Sequence, residues 1–394
     1  MLRSLRSPAV ALALAVLAAA PLLAQKDEKI PARPELDAGA DTNDAYAYYD
    51  FGLDRLRKQP QRAADAFYWA SRLSPTWADP YYARRIALHL SDKRQLMRYL
   101  TSSKAAQSSR NRAIDSLYNE AMLRNPFFFP RLDRTMWEEV IDFASGGQSY
   151  LDNSRSGDPA YDAEMAFLGG NMPEAARLYA AALKKRPKDY QHHSGRANAF
   201  YLMQQYDSAA NELKLLLREM RAKDDKKLVY FYDSKAMFQY KLGRTYLQQN
   251  RYAEAREALG QALAEDLSFH MAHVDLAEAA FAQKDTATGL SELALAAELR
   301  GTDAGVRYLY GQALARAGRH DEAVAQFKLA AENEPYFALP YYYMAASLEA
   351  AGKPAEAAAQ YRAYLTRAPL KLGETAQAKQ RLAALEAAGG GAQP

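Results

Sequence analysis

The chain has 394 residues, no cysteine and a formal net charge of +4 at pH 7. That length exceeds what a single compact core usually organises. The missing thiols exclude a disulfide framework, a thiolate metal site, a cysteine nucleophile and a lipidated N-terminal cysteine. So small a net charge gives no electrostatic case for binding nucleic acid or anionic lipid.

The first residues, MLRSLRS, carry Arg3 and Arg6; Ala9 to Ala24 is then apolar apart from Pro21, and KDEK opens a polar stretch. This order predicts a secretory signal peptide over 1–24, cut after Ala24 to leave Gln25 first in the mature chain. The apolar run falls short of the roughly 20 residues a spanning helix needs, so no stable membrane span is expected after cleavage. Losing Arg3 and Arg6 takes the charge from +4 to +2. Residues 25–43, polar and holding Pro31 and Pro34, read as a flexible leader.

Residues 44–126 hold two helical hairpins. YAYYDFGLDRL and AADAFYWASRLSP form the first, with Phe51, Gly52, Ala63, Phe67, Ala70 and Pro75 in the marked places. The second opens at Pro80 and Tyr81, is interrupted near His89 to Arg94, and closes with AIDSLYNEAMLRNP after an insertion around TSSKAAQSSR. Residues 127–155 are an irregular junction: FFFP, a helix over LDRTMWEEVIDFA, then Gly146, Gly147 and a polar loop. Three consecutive phenylalanines cannot share one helix face, and each one left exposed costs roughly 1.5–3 kcal/mol. Phe127 to Pro130 are therefore expected to wedge between the N-terminal hairpins and the longer C-terminal block, the alternative being an exposed patch for docking a partner.

From 156 to 371 one pattern recurs. GGNMPEAARLYAAALKKRP gives Ala175, Tyr179, Ala182 and Pro187, and another copy starts near Tyr190. After a 12-residue insertion near 222–235, four copies of 34 residues follow without a gap from Ala236, His270, Ala304 and Ala338. Their marked slots hold Leu242, Gly243, Tyr246 and Ala255; Leu276, Ala277, Leu293 and Ala296; Gly311, Ala323, Phe327, Ala330 and Pro335; and Ala345, Ala357, Tyr361 and Pro369. Large residues at three- and four-residue steps share a helix face, small ones let paired helices approach, and proline stops the second helix. Residues 372–394 read as a capping helix, with Lys379, Gln380, Arg381 and Glu386 outward and Gly389 as its stop, and a disordered tail.

These slots resemble the tetratricopeptide pattern W-x2-L-G-x2-Y…A-x3-F…P. The resemblance implies an all-α, right-handed superhelical solenoid in which each hairpin buries its apolar face against its neighbours. It also implies a concave groove lined by the first helix of each hairpin. Carried over slot by slot, the inward residues are Ser194, Asn198, Tyr201; Tyr240, Arg244, Leu247; Val274, Glu278, Phe281; Tyr308, Gln312, Ala315; and Tyr342, Ala346, Glu349. Tyr240, Arg244, Tyr308, Gln312 and Tyr342 are the candidate partner-binding residues, with the rings as rigid aromatic area, or else packed between neighbouring helices, and Arg244 and Gln312 as polar register. The Lys and Asn set with which chaperone adaptors of this family hold a C-terminal carboxylate is missing.

No phosphate loop, H-E-x-x-H motif or nucleophile elbow occurs. His270 and His273 share a face but are read as partly exposed helix residues rather than metal ligands, and the adjacent His192 and His193 diverge. DNSRSGD has calcium-loop offsets, yet Ala163 stands where a bidentate Glu is required, so a turn is expected. Glu138 with Glu139, and Asp224 with Asp225, diverge along their helices and are read as solvated faces. No catalytic residue, cofactor or metal is assigned. The expectation is an exported, non-enzymatic scaffold, periplasmic or secreted, that binds a protein or peptide in its groove. By family analogy it would serve outer-membrane assembly, secretion or polysaccharide export. The alternatives are a glycan-binding solenoid and a cryptic hydrolase, or subunit of one, built on 127–155. Oligomeric state is left open.

Overall fold

The computed structural model describes residues 30–102, 108–145, 157–220 and 233–390. The chain divides into two compact units, Met1–Arg33 and Pro34–Pro394. Of the first, only 30–33 are described, so the signal peptide and its cleavage site lie outside the described residues, as do most of DNSRSGD, most of the insertion near 222–235 and the last four residues. The second unit is a succession of helices, and among its described residues every regular element is a helix.

The N-terminal block comprises α1 (Ala45–Arg55), α2 (Pro60–Leu73), α3 (Asp79–Leu90), α4 (Lys93–Thr101), α5 (Ser109–Arg124) and α6 (Leu132–Ser145). The interruption expected near His89 to Arg94 is the break between α3 and α4, where the Asp92 side chain accepts from the Gln95 N–H and starts a new helix. Glu138 and Glu139 of α6 are less solvated than their sequence context implied. They hold Arg57 at 2.6 and 2.8 Å, and Glu139 also takes Lys93 at 2.7 Å, tying α6 to the α1–α2 turn and to α4.

Six hairpins follow: α7 (Pro159–Leu168) with α8 (Met172–Lys185), α9 (Tyr190–Leu202) with α10 (Tyr206–Glu219), α11 (Lys235–Gln248) with α12 (Tyr252–Glu265), α13 (His270–Ala282) with α14 (Thr286–Leu299), α15 (Ala304–Arg316) with α16 (His320–Asn333), and α17 (Leu339–Ala350) with α18 (Pro354–Leu365). Each first helix packs on its own second helix and each second helix on the next hairpin. This is the all-α solenoid that the spacing predicts. The small slots permit the close approach: a Cβ on Gly243 would sit 2.6 Å from Leu259 Cγ, and one on Gly311 2.6 Å from Phe327 Cε1. The turn inside each hairpin needs a left-handed residue. Gly170, Gly318 and Gly352 supply it without strain, whereas Gln204, Asn250 and Lys284 hold φ of 60, 56 and 64°.

In three copies one slot ties the preceding loop to its hairpin. His193 places Nε2 3.2 Å from the Pro187 carbonyl and Nδ1 2.7 Å from Glu212 Oε2. His273 repeats this with Leu267 O at 3.3 Å and Glu292 at 2.6 Å, and Arg307 does the same with Gly301 O and Gln326. His273 is buried rather than partly exposed because this slot faces the second helix of the same hairpin, and His270, three residues earlier, is buried as well. The final helix, α19 (Gly373–Gly390), packs Ala378 inward, leaves Lys379, Gln380, Arg381 and Glu386 exposed, and runs one residue beyond Gly389.

The phenylalanine run bridges the blocks as predicted. Phe127 stacks on Tyr201 of α9 at 3.6 Å, Phe128 packs on Tyr82 and Tyr118 at 4.9 and 5.5 Å, and Phe129 meets Phe167 edge-on at 5.8 Å.

Candidate partner-binding face

The inward slots lie three per hairpin on α9, α11, α13, α15 and α17. On α11 the Tyr240 ring is fully buried, 4.7 Å from Phe269, and its hydroxyl donates to the Leu123 carbonyl at 3.4 Å. Arg244, one turn on, donates to that hydroxyl at 3.1 Å and pairs with Asp275 of α13 at 3.5 Å. Asp275 holds the Arg244 guanidinium charged, while burial pushes the Asp275 carboxyl up to about 6. On α15 the same spacing recurs with neutral groups: Gln312 Nε2 donates to the Tyr308 hydroxyl at 2.8 Å. On α17 the next turn holds Ala346, so Tyr342 reaches across and donates to Gln377 of α19 at 2.6 Å.

The five candidate residues therefore do not form one open wall. Tyr240 and Tyr308 belong to the interior, the latter among Phe327, Phe337 and Tyr343 at 6.2, 5.1 and 5.6 Å. The expectation that their rings stand free as contact area is corrected on this point. The aromatic slot on a first helix is covered by the residue that closes the loop leading to the next hairpin, Phe269 over Tyr240 and Phe337 over Tyr308. Tyr342 stays half-buried in a cluster with Tyr343, Tyr361 and Tyr364. Arg244 and Gln312 keep partial exposure, and Glu278, which fills the same slot on α13, and Arg316, one turn beyond Gln312, are exposed. The accessible part of this face is thus polar and of mixed sign, and lies toward the C-terminal ends of the first helices.

Sequence reasoning missed what covers the rest. Thr76 of the N-terminal block sits on α15, its methyl 3.0 Å from where a Cβ on Gly305 would lie. Leu123 and Phe127 reach α11 and α9 as described. The signal was present but unspecific: a phenylalanine run that must be buried somewhere, with no indication of which helix receives it. A shallow cavity of about 370 Å³ lies elsewhere, between the α1–α2 turn and α6, lined by Leu53, Arg57, Arg131 and Leu132 among others.

Comparison with known proteins agrees with this architecture. A family model described as tetratricopeptide repeat matches residues 169–224 and 240–305. Among solved structures, the chain is similar to YrrB, a TPR protein with an unusual peptide-binding site, at 20% identity over 52% of this chain and 99% of that one, with a TM-score of 0.40. It is similar to MamA at 20% identity over 45% and 91%, TM-score 0.39. It is also similar to the C-terminal part of a TPR repeat-containing protein from Cytophaga hutchinsonii, at 16% over 52% and 78%, TM-score 0.45. No curated protein matches the chain. The family match over residues 169–224 and 240–305, with the in-register 34-residue copies and the stacked hairpins they form, shows that the chain carries a tetratricopeptide-repeat array.

Proposed function

We propose that this tetratricopeptide scaffold for protein–protein interaction works outside the cytoplasm, in the periplasm or as a secreted protein, and has no enzymatic activity of its own. The observation that carries the reading is the accessible strip of the first helices, where Arg244, Glu278, Gln312 and Arg316 offer charged and amide groups on three successive hairpins of the array. Such a strip suits the backbone and polar side chains of an extended peptide. Export rests on the order of basic, apolar and polar residues in 1–28. Service in outer-membrane assembly, secretion or polysaccharide export is the finer proposal, by analogy with envelope scaffolds of this family.

The absence of enzymatic activity is supported by how the histidines are engaged, since His193 and His273 are each held by a glutamate and a loop carbonyl. The glycan reading is weakened because the rings it needs at Tyr240 and Tyr308 are interior. Affinity purification of the full chain from its native envelope tests the proposal. A stoichiometric protein partner lost in an Arg244→Ala/Gln312→Ala variant supports it; retention of glycan alone, or a cytoplasmic protein with Met1 to Ala24 intact, overturns it.

A further inference from the structure

A second periodicity runs along the inward face. Lys241, Asp275, Leu309 and Tyr343 follow one another at steps of 34 residues, each one position after an inward slot, on α11, α13, α15 and α17. From there the polar members reach back to the hairpin before. Lys241 donates to Asn198 of α9 at 3.2 Å, and Asp275 pairs with Arg244 of α11 at 3.5 Å. Tyr343 sets its ring 5.6 Å from that of Tyr308, whose hydroxyl Gln312 holds. Asn198, Arg244 and Gln312 fill the middle inward slot of three hairpins, and each is answered in this way from the hairpin that follows. Glu278 fills the same slot on α13, and the position that would answer it is Leu309. Leucine offers a carboxylate neither a proton nor a charge. Among the described residues the exposed Glu278 side chain has no hydrogen bond or ion pair. Asp275, one turn before it, is buried, and its Oδ2 makes no hydrogen bond. Burial, with the Glu278 charge added to it, pushes the Asp275 carboxyl up to about 6 against the pull of Arg244. Two carboxylates thus share one guanidinium, and the place is one cation short.

We propose that Glu278 and Asp275 form a cation subsite on the inward face, which takes an arginine or lysine side chain from an extended segment of the protein partner. This rests on the reading of the array as a protein-interaction scaffold and adds the chemistry that the partner presents between α13 and α15. The partner's cation stands where Leu309 leaves the ladder open, and it balances the second carboxylate. Leu309 and Phe281 are partly buried against one apolar cluster, so they give the aliphatic stem of a long basic side chain a surface to lie on. Arginine suits the place well, because its planar fork meets a carboxylate with two parallel N–H donors.

The chain carries no cysteine, so Glu278→Cys introduces a single thiol. Iodoacetate turns that thiol into a carboxymethyl group and restores a carboxylate, whereas iodoacetamide leaves a neutral amide of nearly the same shape. The experiment presents the full chain, as wild type and in the two alkylated forms, to capped decapeptide pools. The pools share alanine, serine and leucine mixtures and fix one central residue as arginine, lysine, citrulline or glutamate. Citrulline keeps the shape of arginine without its charge. Wild type and the carboxymethyl form are expected to retain the arginine and lysine pools about ten-fold over the citrulline and glutamate pools, and the amide form to lose that preference. Retention of all pools alike, retention of none, or a preference for basic pools that survives in the amide form overturns the subsite. Should the cysteine variant fail to fold, Glu278→Gln takes the place of the amide form. The scaffold reading is judged apart from this, by the native partner: a partner captured equally by wild type and the amide form, yet lost in Arg244→Ala/Gln312→Ala, would leave that reading standing while the subsite falls.

Discussion

Truncating Tyr308 separates the interior from the accessible strip most sharply. Its ring is packed by Phe327, Phe337 and Tyr343, and its hydroxyl accepts from Gln312 at 2.8 Å. Removal of a buried aromatic ring costs about 3–5 kcal/mol, because the lost transfer energy is joined by a cavity that three neighbouring rings cannot close. Tyr308→Phe keeps the ring and loses one hydrogen bond, at about 0.5–1.5 kcal/mol. Arg316→Ala, on the same helix but exposed, should stay within about 0.5 kcal/mol. Urea unfolding followed by helical circular dichroism gives the three midpoints. The expected order is Tyr308→Ala well below Tyr308→Phe, with Arg316→Ala at wild type. A Tyr308→Ala midpoint equal to that of Arg316→Ala would refute the interior placement and return the ring to the contact surface.

Overpacking at Ala323, which is wholly buried, should cost about 1–3 kcal/mol in Ala323→Leu, read by the same unfolding assay. Lys284→Gly should raise stability by about 1 kcal/mol, since φ 64° is strained for lysine and the equivalent positions in the next two copies are Gly318 and Gly352; an unchanged melting midpoint would count against the strain. Glu212 and the Pro187 carbonyl hold the His193 imidazole above its ordinary value against the opposing effect of burial and of Arg196. Its contribution is therefore full below about pH 6.5 and is lost as pH rises through the higher folded value. A pH series of urea midpoints should show that decline in wild type and a smaller one in His193→Gln; identical slopes would rule it out.

The sequence by itself determined the repeat unit, because a 34-residue spacing of small and large residues is a local code: each slot is filled by contacts within its hairpin or the next. Gly243 against Leu259, Gly311 against Phe327 and the bridging phenylalanines were legible for that reason. The inward tyrosines were legible as slots but not as surfaces. Whether Tyr240 faces water depends on Phe269 from the loop that follows its hairpin and on Leu123, which is 117 residues away. The ion pairs between the two blocks are more distant still: Glu120 and Arg300 are 180 residues apart, and neither belongs to a pattern that specifies its partner. Only the tertiary structure decided that the N-terminal block lies along the array, since long-range side-chain pairing carries no periodicity that a single sequence can display.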